Sequence, residues 1–169
     1  TDPGLAELLE RVPGTGLSVP LGSHAGTPVE VDLVHDGPHA VVIGQTGSGK
    51  SEALTTWIAA MCARVTPAEV TFLLVDFKGG RTFDALASLP HVCGVLTDLG
   101  EAAAVRAIVS LRAEVRRREA RMAEVGARDI AETAGILSRL VVVVDEYAAL
   151  VAAQPDLHTL FADLTARGR

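Results

Sequence analysis

Apolar residues fall along this chain in short runs bounded by polar, glycine-rich turns. Ala40-Val41-Val42-Ile43, Val70 to Val75, Val92 to Leu96 and Leu140 to Val144 are such runs. Continuous apolar stretches of this length predict strands buried on both faces of a parallel sheet. Leu17 to Leu21 and Val29 to Val34 read as two shorter strands. The turn-rich linker Gly22 to Pro28 between them predicts a hairpin. Helical spacing marks residues 5–12, closed by Pro13-Gly14, and Ser51 to Arg64, which stops before Pro67. It also marks a short helix over Thr82 to Leu89 and a last one over Asp156 to Leu164. The longest helix is predicted over Glu101 to Val125, where Val105, Ile108, Leu111, Val115, Met122 and Val125 form one stripe. Strands alternating with helices predict an α/β fold, a mostly parallel sheet with helices on both faces and a short N-terminal β-hairpin. The expected organisation is a lead-in over residues 1–36 and a core over residues 37–169.

Composition narrows the picture. The chain has 169 residues, room for one domain with a substantial core. Its 49% hydrophobic content excludes a disordered chain, and no apolar run is long enough to cross a membrane. The chain opens Thr1-Asp2-Pro3, without an initiator Met or signal-peptide pattern. It is expected to be part of a longer protein, with any membrane anchor outside it. The net charge of −6 argues against a freestanding non-specific DNA binder, which needs a basic surface. Cys62, Cys93 and the five histidines show no metal-ligand spacing, and the two thiols are expected to be free and buried. Lys50 and Lys78 are the only lysines among the fifteen basic residues, and both sit beside glycines. A compact ammonium is not interchangeable with a planar guanidinium.

Gly44-Gln45-Thr46-Gly47-Ser48-Gly49-Lys50-Ser51 matches the spacing G-x-x-x-x-G-K-[ST] without a gap. Glycines let the backbone wrap tightly and turn successive N–H groups toward phosphate oxygens. The following helix offers its positive end to the same anion. Lys50 is placed to reach the β- and γ-phosphates, and the Ser51 hydroxyl to ligate Mg²⁺. A chance glycine-rich turn would not also lie between a strand and a helix. Asp145 and Glu146 end the most apolar strand. The first is a candidate Mg²⁺ ligand and the second a candidate to polarise an attacking water. The expected ligand is therefore ATP or a close relative, with Mg²⁺. Val75-Asp76-Phe77-Lys78-Gly79-Gly80 also ends a strand, but alone it reads as a polar β–α loop. Residues 112–121, rich in Arg and Glu, read as a solvated helix face with a Glu114–Arg118 ion pair. Arg167 and Arg169 read as surface arginines or as an arginine finger for a neighbouring subunit's γ-phosphate.

Together these motifs resemble the FtsK/SpoIIIE family of motor ATPases. The resemblance rests on GQTGSGKSE (Gly44 to Glu52), VDFKGGRTF (Val75 to Phe83), Leu89-Pro90-His91 and VVVVDEYAAL (Val141 to Leu150). It also rests on Val29-Glu30-Val31-Asp32-Leu33 followed by Gly37-Pro38-His39, and it spans roughly Leu17 to Arg169. Glu52 and the DFKGG form of the second loop are similar to the type VII secretion branch (EssC/EccC-like). The resemblance implies a RecA-like fold and a cytosolic bacterial module tethered to a membrane by segments elsewhere. It implies assembly with neighbouring ATPase modules as a hexamer-like ring or tandem, and an exported protein as substrate. It implies nucleotide contacts from Gly44, Gln45, Thr46, Gly47, Ser48, Gly49, Lys50, Ser51 and Glu52, and Mg²⁺ held by Ser51 and Asp145. It assigns hydrolysis to Glu146 and Lys50, with Arg169 the better positional match to the finger. The family's core continues past the position where this chain ends, so weak activity is expected of this stretch alone. Two alternatives stay open: a double-stranded DNA translocase of the same family, and a nucleotide-dependent docking module that hydrolyses little.

Overall fold

The computed structural model describes residues 4–11, 16–76, 81–97, 100–153 and 155–167. Helix α1 (Leu5–Arg11) is followed by strands β1 (Ser18–His24) and β2 (Thr27–Asp32), which pair antiparallel. The hairpin is longer than its apolar residues indicate. Its turn is tightened to Ala25-Gly26, both with positive φ, of 50° and 80°. Two successive left-handed residues match the twist of flanking strands, so a two-residue turn replaces the expected loose linker. Leu17 and Val19 are buried in the same cluster as Trp57, Ile58 and Met61, from the helix that follows the glycine-rich phosphate loop (P-loop) at Gly44 to Ser51.

The parallel sheet has the order β4-β3-β5, from β3 (Val70–Asp76), β4 (Val92–Thr97) and β5 (Arg139–Asp145). Alternation along β3 divides the core into two layers. Val70, Phe72 and Leu74 face α2 (Lys50–Cys62), meeting Trp57, Ile58 and Met61. Leu73 and Val75 face the opposite layer of α3 (Glu101–Glu124), α4 (Tyr147–Ala153) and α5 (Pro155–Arg167), meeting Ile108, Leu111, Leu150 and Leu160. Helices thus cover both faces, and each fully buried large side chain contributes about 1.5–3 kcal/mol of transfer free energy. His91 joins the first layer's rim, its buried ring Nε2–H donating to the Val65 carbonyl at 2.7 Å.

Four expectations are corrected. The run Ala40 to Ile43 forms no strand; Val41 and Ile43 are 84% and 90% exposed. An apolar run becomes a strand only where a ladder partner lies alongside it, and among the described residues none pairs with this one. Thr82 to Leu89 is a succession of turns rather than a helix, with i+3 bonds such as Leu86 N to Phe83 O at 2.9 Å. Burial of Phe83 and Leu86 in the core dictates its path. On α3 only Ile108 and Leu111 of the predicted stripe are buried, while Val105 and Val125 are exposed. The 24-residue helix outruns the sheet it packs on. Cys93 is exposed because β4 is an edge strand, and Cys62, at the end of α2, is half-buried; both are free. Glu114 pairs with Arg117 as well as the expected Arg118, and the Arg118 guanidinium also donates to the Ser138 carbonyl at the start of β5.

Candidate functional site

The residues at the P-loop adopt backbone conformations that only their glycines allow cheaply. Gly47 and Gly49 have φ of 79° and 86°, the left-handed region that L side chains avoid. A Cβ at Gly44 would lie 2.5 Å from Ser48 Oγ and 3.3 Å from Lys50 Cγ, so the Ser48 hydroxyl would have to turn aside and Lys50 to shift. Gly49 is the N-cap of α2 and has no side chain with which to satisfy the first N–H groups of the helix. Those amides and the positive end of the helix face an exposed loop, chemistry suited to an anion. The Lys50 ammonium folds back over the loop and donates to the carbonyls of Gly44 and Gln45, both at 2.9 Å. Gln45, Thr46, Ser48 and Glu52 are exposed around it, Glu52 in the first turn of α2.

The parallel register places Asp76 and Asp145 opposite each other at the carboxyl ends of β3 and β5. Ligands bind at that edge of open α/β sheets. The Ser51 hydroxyl donates to Asp145 Oδ2 at 2.8 Å, joining residues 94 positions apart. Hydroxyl and carboxylate oxygens are hard donors of the kind Mg²⁺ selects, so the pair fits the ion that the P-loop implies. Among the described residues no cluster of three or more His, Cys, Asp or Glu is poised to hold a metal by itself. Glu146 follows directly, with φ of 61°. A non-glycine residue held left-handed is strained, and such strain concentrates at functional sites. Its carbonyl accepts from Ala149 N and Leu150 N, at 3.0 and 3.3 Å, which starts α4 where β5 stops.

A further residue enters that sequence reasoning missed. The Thr82 hydroxyl donates to the same Asp145 Oδ2 at 3.1 Å, and its backbone N–H donates to the buried Asp76 carboxylate at 3.3 Å. The Thr55 hydroxyl of α2 reaches the Thr82 carbonyl at 3.4 Å. The signal available beforehand was the place of Thr82 at the end of VDFKGGRT, just past a strand-end carboxylate. Lys78 and Arg169 lie outside the described residues, as does the side chain of Arg167.

A family model described as the FtsK/SpoIIIE family matches residues 11–139, a stretch that holds the whole P-loop and Thr82 and stops before Asp145. The ESX-4 secretion system protein EccC4 of Mycobacterium tuberculosis is 37% identical over 171 residues, covering 90% of this chain and 14% of that protein. The chain therefore spans a small part of that relative. The solved cytoplasmic domain of the Thermomonospora curvata type VII secretion ATPase EccC has a TM-score of 0.89 at 31% identity, covering 100% of this chain and 24% of that one. ATPases 2 and 3 of Thermomonospora curvata EccC, in complex with a signal sequence peptide, give a TM-score of 0.73 at 31% identity, over 83% of this chain and 27% of that one. A gapless P-loop, a strand-end carboxylate bonded to its serine and a parallel sheet covered on both faces agree with these matches: the chain belongs to the FtsK/SpoIIIE family.

Proposed function

We propose that this chain is an ATP-binding and ATP-hydrolysing module of a type VII-like protein secretion motor. The observation that carries the reading is the Ser51–Asp145 hydrogen bond, which closes the P-loop onto the carboxyl end of β5. In this reading the loop amides from Gly44 to Ser51, with the amino end of α2, bind the phosphates of ATP. The Lys50 ammonium, which donates to the Gly44 and Gln45 carbonyls, is within the loop that takes the phosphates and serves the β- and γ-phosphate oxygens. Ser51 and Asp145 hold Mg²⁺, which when bound supplies positive charge against the phosphates. The Ser51 hydroxyl can offer a lone pair outward while still donating its proton to Asp145. Glu146, one residue further on, orients a water and accepts its proton as the water oxygen bonds to the γ-phosphorus and the bond to the bridging β–γ oxygen breaks, so that ADP leaves with that oxygen and phosphate is released. Its left-handed backbone marks a strained turn at this position, where β5 gives way to α4. Arg169 serves a neighbouring module's nucleotide as an arginine finger, so the working unit is an assembly of such modules.

An exported protein as the cargo is supported by the EccC relatives and by the signal sequence peptide in complex with EccC. No helix among the described residues is long and apolar enough to cross a membrane. A cytoplasmic place for this module is supported by its likeness to the cytoplasmic domain of EccC, and tethering to a membrane is assigned to segments outside the chain.

The test is nucleotide binding by the chain, followed by phosphate release in a preparation that contains its neighbouring modules. Lys50→Ala is expected to abolish binding. Glu146→Gln is expected to keep binding and lose phosphate release. Long double-stranded DNA is expected to leave the rate unchanged, and strong stimulation by DNA would replace the secretion reading with a DNA pump. Binding without any phosphate release in the wild-type assembly would instead make this a nucleotide-dependent docking module.

A further inference from the structure

We propose that Thr82 is a positioning residue that orients the Asp145 carboxylate for Mg²⁺ and fastens it to β3 and α2. The inference rests on the reading above, in which Ser51 and Asp145 hold the ion. Three elements converge on this one threonine. Its hydroxyl reaches Asp145 at the end of β5, its N–H reaches Asp76 at the end of β3, and its carbonyl receives the Thr55 hydroxyl from α2.

The geometry separates Thr82 from a general structural role. Thr82 and Ser51 donate to the same oxygen, Asp145 Oδ2, at 3.1 and 2.8 Å. A carboxylate turns readily about its last torsion, and a single donor leaves that rotation loosely held. Two donors from opposite sides of the sequence, one on α2 and one beyond β3, fix the plane of the group. If Ser51 turns part of its oxygen toward an ion, Thr82 still anchors Asp145. Asp76 is 2% exposed, and the Thr82 N–H is a donor to it. The backbone at residue 82 is thereby tied to β3, which keeps the Thr82 side chain within reach of Asp145.

The experiment titrates a fluorescent ATP analogue into the full chain at a series of Mg²⁺ concentrations and without Mg²⁺. It compares wild type with Thr82→Val, Thr82→Ser, Thr82→Ala and Thr71→Val. Thr71 also uses its hydroxyl between strands, toward Ser138 and the Arg139 carbonyl, at the end of the sheet remote from the carboxylates. Partners that orient a metal ligand typically change metal affinity by about 10–100-fold when removed. Thr82→Val is therefore expected to raise the Mg²⁺ concentration for half-maximal enhancement about tenfold or more. Its Mg²⁺-free affinity should stay at the wild-type level. Thr82→Ser should restore the wild-type requirement, and Thr71→Val should never lose it. Thr82→Ala and Thr82→Ser both shrink the side chain and differ mainly in the hydroxyl, so a defect of packing would appear in both and a defect of orientation only in Ala. A wild-type Mg²⁺ requirement in Thr82→Val overturns the inference while leaving the nucleotide site standing. Equal weakening with and without Mg²⁺ overturns it too, by making Thr82 a support of the loop as a whole. If the wild-type chain shows no Mg²⁺-dependent nucleotide binding, the functional reading falls and takes this inference with it.

Discussion

Gly49→Ala isolates the contribution of backbone conformation to the phosphate loop. Gly49 has φ of 86° and ψ of 17°, and a Cβ added there would meet no atom within 4 Å. The perturbation is therefore conformational and not a clash. Holding a non-glycine residue left-handed costs about 1–2 kcal/mol. Removing a glycine from the unfolded chain returns about 0.4–1 kcal/mol of that through lost entropy. The net cost is about 1 kcal/mol, roughly fivefold in an equilibrium constant. It has two places to appear. If the loop keeps its shape, stability toward urea falls by that amount and nucleotide affinity is retained. If the loop relaxes, stability is retained and binding of MgATP weakens by up to the same factor. The two losses should sum to about 1 kcal/mol. Gly126→Ala is the matched control: φ is 70°, again with nothing within 4 Å, but just past the end of α3. It should lower stability and leave binding alone. The assays are urea denaturation and equilibrium titration with a fluorescent nucleotide. Wild-type stability and wild-type affinity together in Gly49→Ala, with the expected loss in Gly126→Ala, would refute the claim that the left-handed glycine shapes the site.

Other expectations test the scaffold. The Arg117 guanidinium, helped by Arg118 and opposed by partial burial, lowers the Glu114 pKa from 4.5 to about 2. A folded-state pKa below the unfolded one contributes stability that is full above about pH 4.5 and is lost as pH falls toward about 2. Screening at this half-exposed site limits the contribution to about 1 kcal/mol. In urea denaturation from pH 6 down to pH 2, Glu114→Gln should therefore lose less stability than wild type, and a parallel pair of curves would contradict the assignment. Phe72→Ala should cost about 3–5 kcal/mol in the same assay, because Phe72 is fully buried on the central strand. Val41→Ser together with Ile43→Ser should change nucleotide-free stability by no more than about 0.5 kcal/mol each. In hydrogen exchange, the amides of residues 41–43 should exchange far faster than those of β3; protection equal to β3 would show them to be part of the sheet.

The two halves of the site were legible in the sequence to different degrees. The glycine spacing with Lys50 and Ser51 is a local instruction: it sets backbone angles within a few residues and needs no distant partner to be read. The same holds for α2, which begins where the glycines end. Asp145 and Glu146 were placed at a strand end by pattern alone. That Asp145 meets Ser51 required the parallel register of β5 beside β3, which no spacing contains.

What the sequence by itself determined, then, was the loop that can cradle phosphate, the strand ends that carry carboxylates, and the α/β alternation that puts both at one edge. These follow from short-range sterics and from periodicity. Only the tertiary structure decided which apolar runs found partners. Val70 to Val75 became the central strand, flanked on both sides, while Ala40 to Ile43, equally apolar, stays outside the ladder. Only the tertiary structure brought Thr82 to Asp145, since its turns follow the burial of Phe83 rather than the helical spacing of their residues. The physical reason is common to both. A hydrogen bond or a ladder between residues far apart in the chain depends on where the whole core holds them, and that information is spread over every residue that packs.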